Sequence, residues 1–186
     1  MNSKMLFDCF ERSPVISAVQ DDLWEEALKS PSELVFYLKA NLLTVKEKIN
    51  MAHKLNKYVF IHIDLAEGIG KDRFGVQFLA NLGADGIIST KTQLIKFAKE
   101  FNLLTVQRLF ALDSQGVANM NAMIGMAKPD MIEIMPGTVY KIIKRMSNCG
   151  IPLIAGGLLE TKNEVTEALS NGAVSVSTGN PELWYI

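Results

Sequence analysis

Glu133 interrupts the run Met131-Ile132-Glu133-Ile134-Met135, which is otherwise apolar. A carboxylate in such a strand is costly unless it is paired or hydrogen-bonded. Arg108, in the preceding strand-like run, is its natural counter-charge. The two residues read either as a carboxylate that accepts ligand hydroxyls or as a buried ion pair that fixes strand register. Two further runs end in residues suited to anions. Ile151-Pro152-Leu153-Ile154-Ala155 ends in Gly156-Gly157, and Ala173-Val174-Ser175-Val176-Ser177 ends in Thr178-Gly179-Asn180. Glycine has no side chain to block a backbone from approaching an anion. Thr and Asn add hydroxyl and amide donors. These spacings suggest a phosphate cradle and a phosphorylated small molecule. His62 and Asp64 are two apart, so on one face of a strand. His62 reads equally as a core histidine or as a functional group. Asp64, Glu67 and Asp72 could hold a metal only with partners that the sequence does not specify, and no metal is expected.

The elements that must position these residues alternate. Strand-like runs fall at 15–19, 34–38, 58–64, 86–90, 104–110, 131–135, 153–156 and 174–178. They are short and apolar, as strands covered on both faces should be. Helical patterns lie between them. Thr44 is expected to cap a helix running to Asn56, with Glu47 at the capping-box position. Asp72 is expected to cap 73–82, and further helices are expected at 92–101, 114–127, 138–148 and 161–170. The segment 21–30 has room for only two to three turns. This order predicts an α/β fold, a compact TIM-type (β/α)₈ barrel, in one domain spanning 1–186. An open doubly wound sheet is the alternative. In a barrel of this kind the active groups sit at the C-terminal ends of the strands. A weak internal echo links Gly83-Ala84-Asp85-Gly86-Ile87-Ile88-Ser89-Thr90 with Gly172-Ala173-Val174-Ser175-Val176-Ser177-Thr178. It reads as a half-barrel repeat or as convergent strand composition.

Composition narrows the class. The chain has 186 residues and a net charge of -1, from 19 basic and 20 acidic residues. That balance offers no general attraction to nucleic acid, although a local basic face can sit on a neutral protein. Lys46, Lys48, Lys54 and Lys57 cluster near one helix and Lys91, Lys96 and Lys99 on another; such faces are usually just solvated. Cys9 and Cys149 lack metal-ligand spacing and read as reduced thiols. No run reaches the length of a membrane span. The chain is read as soluble and cytoplasmic. Gly68-Ile69-Gly70-Lys71 lacks full phosphate-loop spacing and reads as a flexible loop with Lys71 over the barrel mouth. Met120, Met123 and Met126 read as core, and Trp184 with Tyr185 as the anchor of a last helix.

At these motifs the chain resembles the glycerol-3-phosphate-responsive antiterminators of the bacterial glycerol uptake operon. The matching strings are Asp85-Gly86-Ile87-Ile88-Ser89-Thr90, Gln107-Arg108-Leu109-Phe110 with Asp113-Ser114, and Pro129-Asp130-Met131-Ile132-Glu133-Ile134-Met135-Pro136-Gly137. To these add Ile151-Pro152-Leu153-Ile154-Ala155-Gly156-Gly157-Leu158-Leu159-Glu160-Thr161, Thr178-Gly179-Asn180 and Leu183-Trp184. The resemblance implies a barrel that senses glycerol 3-phosphate as an effector, with no cofactor. It further implies binding to the 5′ leader of glycerol operon mRNA, which prevents premature termination. Carried over by position, Gly156, Gly157, Ser177, Thr178 and Asn180 would surround the phosphate. Gly179 stands where the family pattern has Ser, which leaves only a backbone N–H. Gln107, Arg108 and Glu133 would face the polyol end, as would Asp64. The resemblance matches less well around Lys39, places no RNA surface, and allows a homo-oligomer.

One competing reading is a phosphosugar enzyme, with Glu133 as general base and His62 or Lys91 as electrophile. Another is a metabolite-binding protein that acts through a protein partner.

Overall fold

Strands that are apolar on both faces need cover on both, and a closed ring wrapped by helices supplies it. The computed structural model describes residues 3–186. Its strands are β1 (Val15–Val19), β2 (Leu34–Tyr37), β3 (Tyr58–His62), β4 (Gly86–Ser89), β5 (Leu104–Phe110), β6 (Met131–Met135), β7 (Leu153–Gly156) and β8 (Ser175–Thr178). They form a closed parallel barrel in chain order. The ring shuts where β1 meets β8, with Ile16 opposite Ser177. This is a TIM-type (β/α)₈ barrel and not an open sheet.

The helices are α1 (Ser3–Arg12), α2 (Trp24–Lys29), α3 (Val45–Lys54), α4 (Arg73–Asn81), α5 (Thr92–Glu100), α6 (Ser114–Ala127), α7 (Tyr140–Met146) and α8 (Lys162–Ser170). Asp72 caps α4, its carboxylate accepting from the Gly75 N–H. Thr161 caps α8 in a full capping box with Glu164. Thr44 precedes α3 but makes no side-chain cap, contrary to expectation. Its backbone sits at φ -115°, ψ -16°, close to helical values, whereas a capping side chain needs an extended residue. The helix expected at 138–148 is shorter, α7 running into a 3₁₀ turn at Ser147–Cys149.

Side chains alternate between lumen and helix layer along every strand. Phe36, Phe60, Ile88, Val106, Met131 and Ile154 belong to one buried cluster, which fills the lumen. Residues of opposite parity, such as Tyr37, Ile61, Leu109 and Ile134, belong to the larger cluster under the helices. The helix α1, not foreseen from the pattern, adds Leu6, Cys9 and Phe10 to the lumen cluster. It therefore closes the end from which the strands start. Of the three methionines on α6, Met120 is buried while Met126 is 57% exposed. A three-residue step falls about 60° short of a turn, so a stripe with that spacing rotates off the core. Trp184 is fully buried and donates Nε1–H to Thr178 O at 2.9 Å. Tyr185 is exposed, and the terminal element is a 3₁₀ segment, Pro181–Tyr185, not an α-helix.

Candidate functional site

The C-terminal end of the barrel opens onto a cavity of about 320 Å³. Arg108 and Glu133 reach it because both have lumen parity and their Cα atoms are paired across β5 and β6. Arg108 Nε donates to Glu133 Oε2 at 2.6 Å, and Ser177 Oγ donates to Glu133 Oε1 at 2.6 Å. Glu133 is fully buried, so each of its oxygens holds the strong partner that burial demands. Arg108 uses only Nε in this way; no acceptor among the described residues bonds its two terminal amino groups. Its guanidinium thus brings spare donors to the cavity.

The glycine turns close the same cavity. Gly156 is required by close approach: a Cβ there would lie 2.5 Å from Glu133 Oε1 and 2.6 Å from Ser177 Oγ. Gly157 follows at φ +74°, and Leu158, with a Cβ, is held at φ +56°. Such backbone at a cavity wall is strain of the kind found at ligand clamps. The backbone N–H groups of Gly157, Leu158 and Gly179 have no acceptor among the described residues. Gly157, Leu158, Gly179 and Asn180 all line the cavity.

The expected side-chain donors are already engaged. Thr178 Oγ1 donates to Leu159 O at 3.1 Å and accepts from Asn180 N–H at 3.1 Å. Asn180 donates to Glu160 O at 3.3 Å and accepts from Glu182 N–H at 3.1 Å. With Ser177 bound to Glu133, the three side chains shape the turn, and the unused donors there are backbone amides and the second N–H of Asn180 Nδ2.

Two expected polyol contacts lie elsewhere. Gln107 has the opposite parity to Arg108 and points into the helix layer, where its Nε2 reaches Thr90 O at 3.5 Å and Thr92 Oγ1 at 3.3 Å. Neighbouring residues of one strand cannot both face the lumen. Asp64 does not share a strand face with His62, because β3 ends at His62 and a 3₁₀ turn, Ile63–Leu65, follows. Its carboxylate accepts from Ser89 Oγ at 2.8 Å and from the Thr90 N–H at 2.7 Å, which ties β3 to the end of β4. His62 itself is on the lumen side and 3% exposed.

The other candidate groups separate. Glu67 pairs with Lys39 at 2.9 Å and Asp72 caps α4, so the three carboxylates 64, 67 and 72 have different tasks. Among the described residues no cluster of three or more His, Cys, Asp or Glu could hold a metal. Lys71 does not stand over the mouth; its Nζ folds back onto Ala66 O and Ile69 O. Lys57 is buried, donating to Ser30 O at 2.7 Å and Ser32 O at 2.6 Å, and Lys48 pairs with Asp21 at 3.4 Å. Ala18, Leu38, Met135, Leu159 and the acidic Glu160 complete the cavity wall. The first three carry the lumen parity of their strands, a signal that the motifs overshadowed. No described helix is long and apolar enough to cross a membrane.

Comparison with known proteins bears on this geometry. A family model described as "glycerol-3-phosphate responsive antiterminator" matches residues 15–184. A glycerol uptake operon antiterminator regulatory protein from Listeria monocytogenes is 34% identical, with a TM-score of 0.87 over 91% of this chain and 94% of that one. A glycerol uptake operon antiterminator-related protein from Thermotoga maritima is 32% identical, with a TM-score of 0.83 over 92% and 98%. The uncharacterized protein YgcP of Escherichia coli K12 is 34% identical over 96% of this chain and 95% of its own length.

Proposed function

The chain belongs to the glycerol-3-phosphate responsive antiterminator family, and on that premise we propose that it is a transcription antiterminator switched by glycerol 3-phosphate. In this reading it binds the 5′ leader of glycerol operon mRNA in the cytoplasm and prevents premature termination. The observation that carries the reading is the cavity at the ends of β5 to β8. It joins free backbone amides at Gly157 and Gly179 to a buried Arg108–Glu133 pair. Amides without side chains over them suit a phosphate. The pair beside them offers both donors and an acceptor edge for hydroxyls.

A switch requires differential affinity: the metabolite must bind the RNA-competent form more tightly. The loop that follows β5 begins three residues beyond Arg108, which gives the ligand a short route to the surface. Catalysis is not part of the proposal. Both oxygens of Glu133 accept short hydrogen bonds, which fits an anchor better than a proton-abstracting base. Lys91 lies after β4 and does not line the cavity.

The test is a thermal-shift panel with glycerol 3-phosphate, glycerol and inorganic phosphate, followed by gel shifts with leader RNA. Ligand at about 100 times its Kd adds roughly 2.7 kcal/mol of stability, enough to rank the three. Glycerol 3-phosphate should stabilise most and should tighten RNA binding. Equal RNA affinity with and without it removes the switch.

A further inference from the structure

His62 makes no side-chain hydrogen bond to another described residue that would tie the fold together. It ends β3 on the lumen face, in line with Phe60. It is 3% exposed, and neither Nδ1 nor Nε2 has a hydrogen-bond partner of good geometry among the described residues, the nearest being its own backbone. Buried polar atoms in native proteins are nearly always hydrogen-bonded, so an imidazole with both nitrogens bare needs a reason. A phenyl ring would fill the place with no polar atom left unpaired. The charged groups that act on the ring are Arg108, Asp64 and Glu133. Arg108 and Glu133 are walls of the cavity; His62 does not line it but lies close enough to feel both of their charges.

The chemistry of the ring selects its partner. Burial, and then the nearby Arg108 charge, push its pKa down to about 4. A neutral imidazole has one N–H donor and one acceptor nitrogen. A hydroxyl, which both donates and accepts, matches it. A phosphate dianion does not, and it has the amides at Gly157 and Gly179 on the opposite side of the ring of strands.

We propose that the lumen between His62 and the Arg108–Glu133 pair is a hydroxyl-binding subsite, and that His62 makes the protein select a phosphorylated polyol over inorganic phosphate. The proposal rests on the reading that the cavity takes a phosphate ester. The unpaired histidine is then a specificity device: it destabilises the free protein and is satisfied by the hydroxylated end of the ligand.

Two variants test it, His62→Phe and His62→Gln, with calorimetric titration of glycerol 3-phosphate and of inorganic phosphate. His62→Phe should melt no lower than wild type, lose at least tenfold in glycerol 3-phosphate affinity, and bind phosphate within twofold of wild type. His62→Gln, which keeps a donor and an acceptor, should recover part of the loss. Unchanged glycerol 3-phosphate affinity in His62→Phe overturns the subsite while leaving the ligand reading intact. A lower melting temperature with unchanged affinity makes His62 a structural residue instead. Wild-type protein that binds neither compound overturns both. If His62→Phe fails to fold, ¹⁵N NMR of wild type decides. The chain has only two histidines, and the other, His53, lies on α3. The His62 ring resonances should shift with glycerol 3-phosphate and not with phosphate; the same shift with both, or none, rejects the proposal.

Discussion

The two ends of this barrel solve opposite problems. Where the strands begin, α1 caps the lumen with Leu6, Cys9 and Phe10, and burial there pushes the Cys9 thiol up to about 12. The buried cation at that end, Lys57, donates to two backbone carbonyls, and Ser175 Oγ donates to Pro14 O at 2.8 Å. Where the strands end, the lumen opens. There a histidine lacks partners, a leucine is held at positive φ, and backbone amides face a cavity. The closed end stabilises the fold. The open end carries groups that the described residues leave unsatisfied, the division expected of the two faces of such a barrel.

The largest expected effect sharpens this contrast. Phe10→Ala should lower stability by about 3–5 kcal/mol in denaturant titration, as large-to-small changes in a packed core do. The folded fraction should still bind glycerol 3-phosphate with wild-type affinity. Glu133→Ala should cost about 3 kcal/mol, because it leaves the Arg108 charge buried without its partner. Unlike the Phe10 variant, it should also lose ligand binding by calorimetry. If the two variants behave alike, the ends are not specialised.

A pH profile tests the open end from another side. The folded pKa of His62, about 4, lies below its ordinary value of 6.5. The unfolded chain therefore takes up a proton before the folded one does. Stability should fall as pH drops from about 6.5 to 4 and level off below, by on the order of 3 kcal/mol relative to His62→Gln. Equal profiles for the two proteins contradict a neutral buried ring. The smallest effect is local: Thr161→Ala should cost about 1 kcal/mol by thermal melting through loss of the α8 cap.

Much of this arrangement was legible in the amino-acid sequence. Runs 15–19, 104–110, 131–135 and 153–156 match β1, β5, β6 and β7 to the residue, because short apolar strands are bounded by turn chemistry. The charge at Glu133 pointed to Arg108, and the two are bonded. Other features were hidden for physical reasons. Gln107 came with its neighbour in one motif, yet parity sends it to the helix layer. The end of β3 was invisible because the 3₁₀ turn at Ile63–Leu65 keeps an apolar pattern. The turn residues Thr178 and Asn180 announced donors, but a sequence does not say which acceptor takes each one. The helix α1 was masked by Asp8, Glu11 and Arg12, which interleave with its apolar face.

A crystal structure of the protein grown with glycerol 3-phosphate tests the central claim most directly. The phosphate should sit within hydrogen-bond distance of the Gly157 and Gly179 amides, with the hydroxyls toward Arg108, Glu133 and His62. A cavity without ligand at saturating concentration, or a phosphate bound away from those amides, contradicts the account.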